Sequence, residues 1–112
     1  MIGFDIEHIS KVKDDVRLLE KIATEREKEY VLRFKNKKEK VASLWVVKEA
    51  VFKCLNVKSE KVAFKDIELM HEENGKPYVV LHGNALALAN GRKVEISLSH
   101  TKDIVGAVAI LR

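Results

Sequence analysis

The stretch Val41-Ala42-Ser43-Leu44-Trp45-Val46-Val47-Lys48-Glu49-Ala50-Val51-Phe52-Lys53-Cys54-Leu55 is apolar on almost every face. A surface helix confines its apolar residues to one stripe, so this segment is expected to be a buried central helix. Asn56 follows it, and Asn tolerates the left-handed conformation that closes a helix C-terminus. Residues 36–40, just ahead, are polar, contain Asn36 and read as a loop. Further upstream, Thr24-Glu25-Arg26-Glu27 is a capping box, in which hydroxyl and carboxylate each satisfy a free backbone donor. The helix it opens carries Tyr30, Val31 and Phe34 inward. A shorter helix, capped by Asp14 and Asp15, runs before it to Ile22.

Both ends of the chain read as strands. In Ile2-Gly3-Phe4-Asp5-Ile6-Glu7-His8-Ile9 the apolar residues alternate, which sets Asp5 and Glu7 on the face opposite Phe4. Residues 62–70 and 78–82 flank a turn holding Asn74-Gly75, the favoured dipeptide of a type I′ hairpin. Gly83 to Asn90 reads as a short helix stopped by Gly91. Val94 to Ser99 and Ile104 to Leu111 form two more strands about a tight turn at Thr101-Lys102-Asp103. The last strand lacks polar alternation; in so small a chain it requires a covering helix or a subunit interface. The expected fold is α+β, a small antiparallel sheet packed on a long buried helix, with one domain over residues 1–112.

Composition narrows the function classes. The 112 residues include one cysteine, Cys54, which excludes an internal disulfide framework and a Cys-rich zinc site. No apolar run approaches the ~20 residues of a membrane helix, and the N-terminus lacks a signal core. A soluble, cytoplasmic domain without a membrane partner is expected. Lys and Arg number 21 against 17 Asp and Glu, for a net charge of +4. Segments such as Glu25-Arg26-Glu27-Lys28-Glu29 mix the signs, the mark of a solvated helix face rather than a nucleic-acid footprint. A catalytically silent basic interaction module, binding a carrier protein or nucleic acid, is the competing class; no aromatic-basic stacking platform supports the nucleic-acid version.

Two carboxylates stand in apolar company: Asp5 inside the first strand and Glu49 inside the central helix. An unpaired carboxylate is costly to bury, so each needs a cation, a metal or several donors. Glu49 can pair with Lys53 one turn on, a contact worth about 0.3–0.5 kcal/mol when exposed. Alternatively, strand and helix together form a hard-metal site. Mg²⁺ takes one or two carboxylates, keeps waters and draws the rest of its shell from phosphates. His100 ends Ile96-Ser97-Leu98-Ser99-His100 just before a turn, where a structural hydrogen-bonding role is the commoner one. Lys48, Lys53 and Lys102 can hold phosphates as point charges.

In combination these segments resemble a known family. Gly3-Phe4-Asp5-Ile6, Trp45-Val46-Val47-Lys48-Glu49-Ala50-Val51-Phe52-Lys53, Gly75-Lys76-Pro77 and Ser97-Leu98-Ser99-His100, in that order, resemble the 4′-phosphopantetheinyl transferases. The short chain and the N-terminal position of the first motif are similar to the small holo-acyl-carrier-protein synthase type. The resemblance implies that Asp5 and Glu49 ligate Mg²⁺, which also holds the pyrophosphate of coenzyme A. It implies that Lys53 approaches the phosphates, that His100 with Thr101 contacts the nucleotide, and that Lys48 helps anchor the same region. The implied reaction moves phosphopantetheine from coenzyme A to a serine of an acyl carrier protein, releasing 3′,5′-ADP and supporting fatty acid biosynthesis. The serine proton can pass to water on the cation, to Asp5 or to Glu49. A homotrimer with each site between two protomers is implied as well.

The resemblance further implies an acidic carrier protein docking on a basic first helix. Lys11, Lys13, Arg17 and Lys21 begin that region, and Arg17 and Lys21 share a helical face. A solvated face is the plainer account of the same residues. The sequence departs from the family pattern at three places. Lys11 stands where Arg is usual, Leu44 replaces an Arg ahead of the Lys-Glu-Ala block, and Asn56-Val57-Lys58-Ser59 replaces a Gly-rich turn.

Overall fold

A computed structural model describes residues 1–13, 15–58 and 61–112. Its centre is α3 (Lys37–Cys54), whose Val41, Ala42, Leu44, Val46, Val47, Ala50, Val51 and Cys54 are all buried. Before it come β1 (Ile2–His8), a single 3₁₀ turn (Ile9–Lys11), α1 (Asp15–Ile22) and α2 (Glu25–Val31). After it come a 3₁₀ turn (Phe64–Asp66), β2 (Ile67–His71), β3 (Pro77–Leu81), α4 (Gly83–Ala89), β4 (Val94–His100) and β5 (Ile104–Leu111). The strands form a three-stranded antiparallel sheet, ordered β1-β5-β4, and a separate β2-β3 hairpin. Both sheets contact α3, so the expected sheet on a buried helix is present, with a second small sheet added.

Several boundaries differ from the sequence expectation for identifiable reasons. α3 begins at Lys37, because Asn36 caps it by accepting from the Glu39 N–H at 3.3 Å. Residues 37–40 are thus a polar first turn, not a loop. The segment from 62 strands only at Ile67. The β2-β3 turn is not type I′, which needs two residues of positive φ; only Gly75 has one, at 91°. Gly75 N–H donates to Glu72 C=O at 2.8 Å and Glu72 N–H to Lys76 C=O at 2.9 Å, a tight turn closed by a left-handed glycine. The Thr24–Glu27 capping box forms as expected, with bonds of 2.8 and 3.2 Å. Asn56 adopts φ 55° beyond α3. Of the two cap candidates for α1, Asp14 lies outside the described residues.

The outer sheet has an unusual polarity. Gly3, Asp5 and Glu7 of β1 face α3, while Ile2, Phe4 and Ile6 on the other face are 67%, 56% and 56% exposed. Ile2 pairs with Ile110 and Phe4 with Val108 of β5, so the apolar face extends onto β5 and ends at Glu95 and Ser97 of β4. The final strand is therefore covered by α3 on one face only. No helix is long and apolar enough to cross a membrane among the described residues.

Candidate active site

Close packing of β1 on α3 builds the site. A Cβ on Gly3 would stand 2.0 Å from the Ala50 carbonyl oxygen, so only glycine lets the strand approach the helix this closely. Two residues along β1, Asp5 projects toward the same helix. Lys53 Nζ donates to Asp5 Oδ1 at 3.0 Å and to the Phe4 carbonyl at 3.1 Å. Lys53 is thus given to Asp5, not to Glu49 as helix spacing allowed. Among the described residues Glu49 has no ion pair. Burial and then the neighbouring Asp5 charge push its carboxyl above the usual range, with Lys53 offsetting part of the rise.

This is the electrostatic condition a divalent cation relieves: two carboxylates, from strand and helix, close enough for one to raise the other. No cluster of three or more His, Cys, Asp or Glu exists among the described residues. The two carboxylates suit a hard cation, one that takes one or two protein carboxylates and completes its shell from water and a ligand. Beside the pair, Glu7, Lys11, Val12, Leu18 and Trp45 line a groove of about 320 Å³.

The remaining expected site residues divide. His100 and Thr101 lie by the other end of α3: His100 Nε2 is 3.3 Å from Glu39 Oε1. Ten residues of helix separate Glu39 from Glu49, about 15 Å at 1.5 Å per residue. The Thr101 hydroxyl accepts from the Asp103 and Ile104 N–H groups, holding the β4-β5 turn. Lys48 must be corrected. It is completely buried, and its ammonium donates to Glu27 Oε1 (2.9 Å), to the Phe64 carbonyl (2.9 Å) and to the Ile67 carbonyl. It has no surface with which to touch a ligand. Lys11 is exposed and 3.8 Å from Glu7; Arg17 and Lys21 are exposed on α1.

Sequence reasoning missed two buried acids. Glu27 reads as a capping residue only, yet it also accepts from Lys48 and from the Leu69 N–H at 2.7 Å. Glu68 sits in a strand pattern with nothing to single it out. It accepts from Thr24 Oγ1 at 2.5 Å, from Arg26 through both guanidinium contacts, and bonds His82 Nε2 at 3.0 Å. No short-range spacing reveals partners more than forty residues away.

A strand glycine and acid laid on a helix bearing Lys-Glu-Ala and a trailing lysine is the arrangement the motif order implied. Residues 1–109 match the 4′-phosphopantetheinyl transferase superfamily, and the chain belongs to it. Its class is accordingly that of an enzyme, a phosphopantetheinyl transferase. The particular relatives are specific. It is 36% identical to the holo-[acyl-carrier-protein] synthase of Caldanaerobacter subterraneus subsp. tengcongensis over 116 residues, covering 97% of this chain and 91% of that one. The fatty acid synthase subunit alpha of Schizosaccharomyces pombe is 35% identical over 115 residues, 97% of this chain but 6% of that protein. The fold matches the Helicobacter pylori holo-[acyl-carrier-protein] synthase in complex with coenzyme A at TM-score 0.85 and 26% identity, covering 100% of both chains.

Proposed function

We propose that this chain transfers 4′-phosphopantetheine from coenzyme A to a serine of an apo acyl carrier protein, with Mg²⁺ held by Asp5 and Glu49, and that it serves fatty acid biosynthesis in the cytoplasm. The observation that carries the proposal is the close packing of β1 on α3 at Gly3, which lays Asp5, bonded to Lys53, against the helix that bears Glu49. The relatives lend support: one solved structure contains coenzyme A, and one fungal relative is a fatty acid synthase subunit.

The cation supplies charge neutralisation on the pyrophosphate and orientation for in-line attack. The chain's own groups do the rest. Lys53, half-exposed above Asp5, presents an ammonium to the phosphates. His100, with Thr101 beside it, offers imidazole to the nucleotide. Attack forms a bond from the serine oxygen to the β-phosphorus and breaks the pyrophosphate bridge; the serine proton leaves and 3′,5′-ADP departs. The serine proton passes to water on the cation, to Asp5 or to Glu49.

The separation of His100 from Glu49 along α3 supports a site shared between protomers. The bare apolar face of Ile2, Phe4, Ile6, Val108 and Ile110 supports the homotrimer that would create it. Lys11, Arg17 and Lys21 form the proposed carrier-protein contact. The test is to incubate the protein with coenzyme A, Mg²⁺ and apo carrier protein and to weigh the carrier by mass spectrometry. Gain of one phosphopantetheine arm, lost in Asp5→Ala and Glu49→Ala variants that remain folded, is the expected result. No mass gain, or near-parental turnover of either variant at limiting Mg²⁺, overturns it.

A further inference from the structure

α3 is apolar on nearly all sides, so burial draws it into the interior without fixing its rotation about its own axis. Gly3 meets α3 at Ala50 and Cys54, and Lys53 ties the exposed edge of that face to Asp5. Within the core the directional group on α3 is Lys48, its one wholly buried charged side chain. Its ammonium is satisfied by Glu27, Phe64 C=O and Ile67 C=O, all on the α2 and β2 side of the helix. Glu27 is fixed in turn by the Thr24 and Leu69 N–H groups, at 2.8 and 2.7 Å. Turned by one residue, the helix would leave a buried ammonium unpaired and take from the Glu27 carboxylate its cation, a far larger cost than an apolar rearrangement.

Adjacent side chains on a helix diverge by about 100°. With Lys48 held toward α2 and β2, Glu49 is turned toward β1 and Asp5. We infer that the Lys48–Glu27 pair is the rotational register pin of α3, and that Lys48 is a positioning residue for Glu49. Registry is the best-attested use of a buried polar pair, which seldom adds net stability over an apolar substitute. The inference rests on the proposed cation site at Asp5 and Glu49.

The test is the double variant Lys48→Met/Glu27→Gln, which removes both charges while the single amide oxygen of residue 27 can still accept from the Leu69 N–H. Mn²⁺ alone is the probe, followed by electron paramagnetic resonance. Thermal melting is expected close to the parent's, with Mn²⁺ affinity weakened roughly tenfold or more. Emission of Trp45, the only tryptophan, should shift as α3 turns. Turnover should fall in kcat with the KM for coenzyme A unchanged. A double variant that binds Mn²⁺ like the parent overturns the inference, as does a raised KM with unchanged Mn²⁺ affinity, which would make Lys48 a ligand contact. If the double variant does not fold, Glu27→Gln alone is judged by the same two readouts. Failure of the parent itself to bind Mn²⁺ or transfer the arm would instead sink the proposed function, and this inference with it.

Discussion

Acid should loosen this protein through one carboxylate, Glu68. Its side chain is 4% exposed and ties three elements together: Thr24 and Arg26 at the start of α2, β2 itself, and His82 at the start of α4. Burial alone would raise its pKa, but hydrogen bonds from Arg26, Thr24 and His82, with the Arg26 charge, hold it down at about 2. A carboxyl lowered in the folded state stabilises that state above its unfolded pKa, and the contribution is lost as pH falls toward the folded value. From the ordinary 4.5 down to about 2, the difference amounts to roughly 3 kcal/mol at neutral pH, of which about 2 kcal/mol is gone by about pH 3. Urea denaturation of the parent and of Glu68→Gln at neutral pH and at about pH 3 isolates the effect, since every other carboxyl is shared. The parent should lose about 2 kcal/mol more than the variant between the two conditions. Equal losses would show that Glu68 is not held ionised by its partners, and the clamp would be refuted.

Other expectations follow from single contacts. Gly3→Ala puts a methyl against the α3 backbone, which cannot yield as a side chain would, so stability should drop by about 3 kcal/mol and Tm by about 10 °C; a Tm within a degree or two of the parent would contradict the close approach. Phe4→Asp places a charge on the bare sheet face and should give a folded monomer by analytical ultracentrifugation where the parent sediments as a trimer; a monomeric parent would defeat the trimer proposal. Raising salt should lower kcat/KM for the carrier protein roughly tenfold through screening at Lys11, Arg17 and Lys21, and a salt-independent value would remove them from docking.

The legible parts of the fold are those governed by local physics. The central helix could be read because its apolar residues surround it, and the capping box because Thr24 and Glu27 are three residues apart. The other features are hidden by a solvated turn, by a single helical step, or by partners distant along the chain. Lys37 to Lys40 looked like a loop because a solvated first turn is polar, although Asn36 carried the cap that starts the helix. The resemblance gives Lys48 to the nucleotide, whereas one helical step turns it away from Glu49 into the interior. The Asp5–Glu49 convergence was reached through motif order; residue spacing by itself favoured a Glu49–Lys53 pair, and the Lys53–Asp5 bond shows the cation drawn across to the strand.

β1 explains why assembly and chemistry should be inseparable here. Alternation gives the strand two faces, and the face turned to α3 carries Gly3, Asp5 and Glu7, not Ile2, Phe4 and Ile6. A strand normally buries its apolar face; this one is inverted, with Gly3 giving α3 its close contact and Asp5 turned to the proposed site. Its apolar residues are left for a surface that one chain lacks. The same few residues would therefore hold the cation with one face and the neighbouring protomer with the other. Displacing β1 from either side would move Asp5, so a defect at the subunit face should appear first as weakened Mn²⁺ binding, before the chain itself loses its fold.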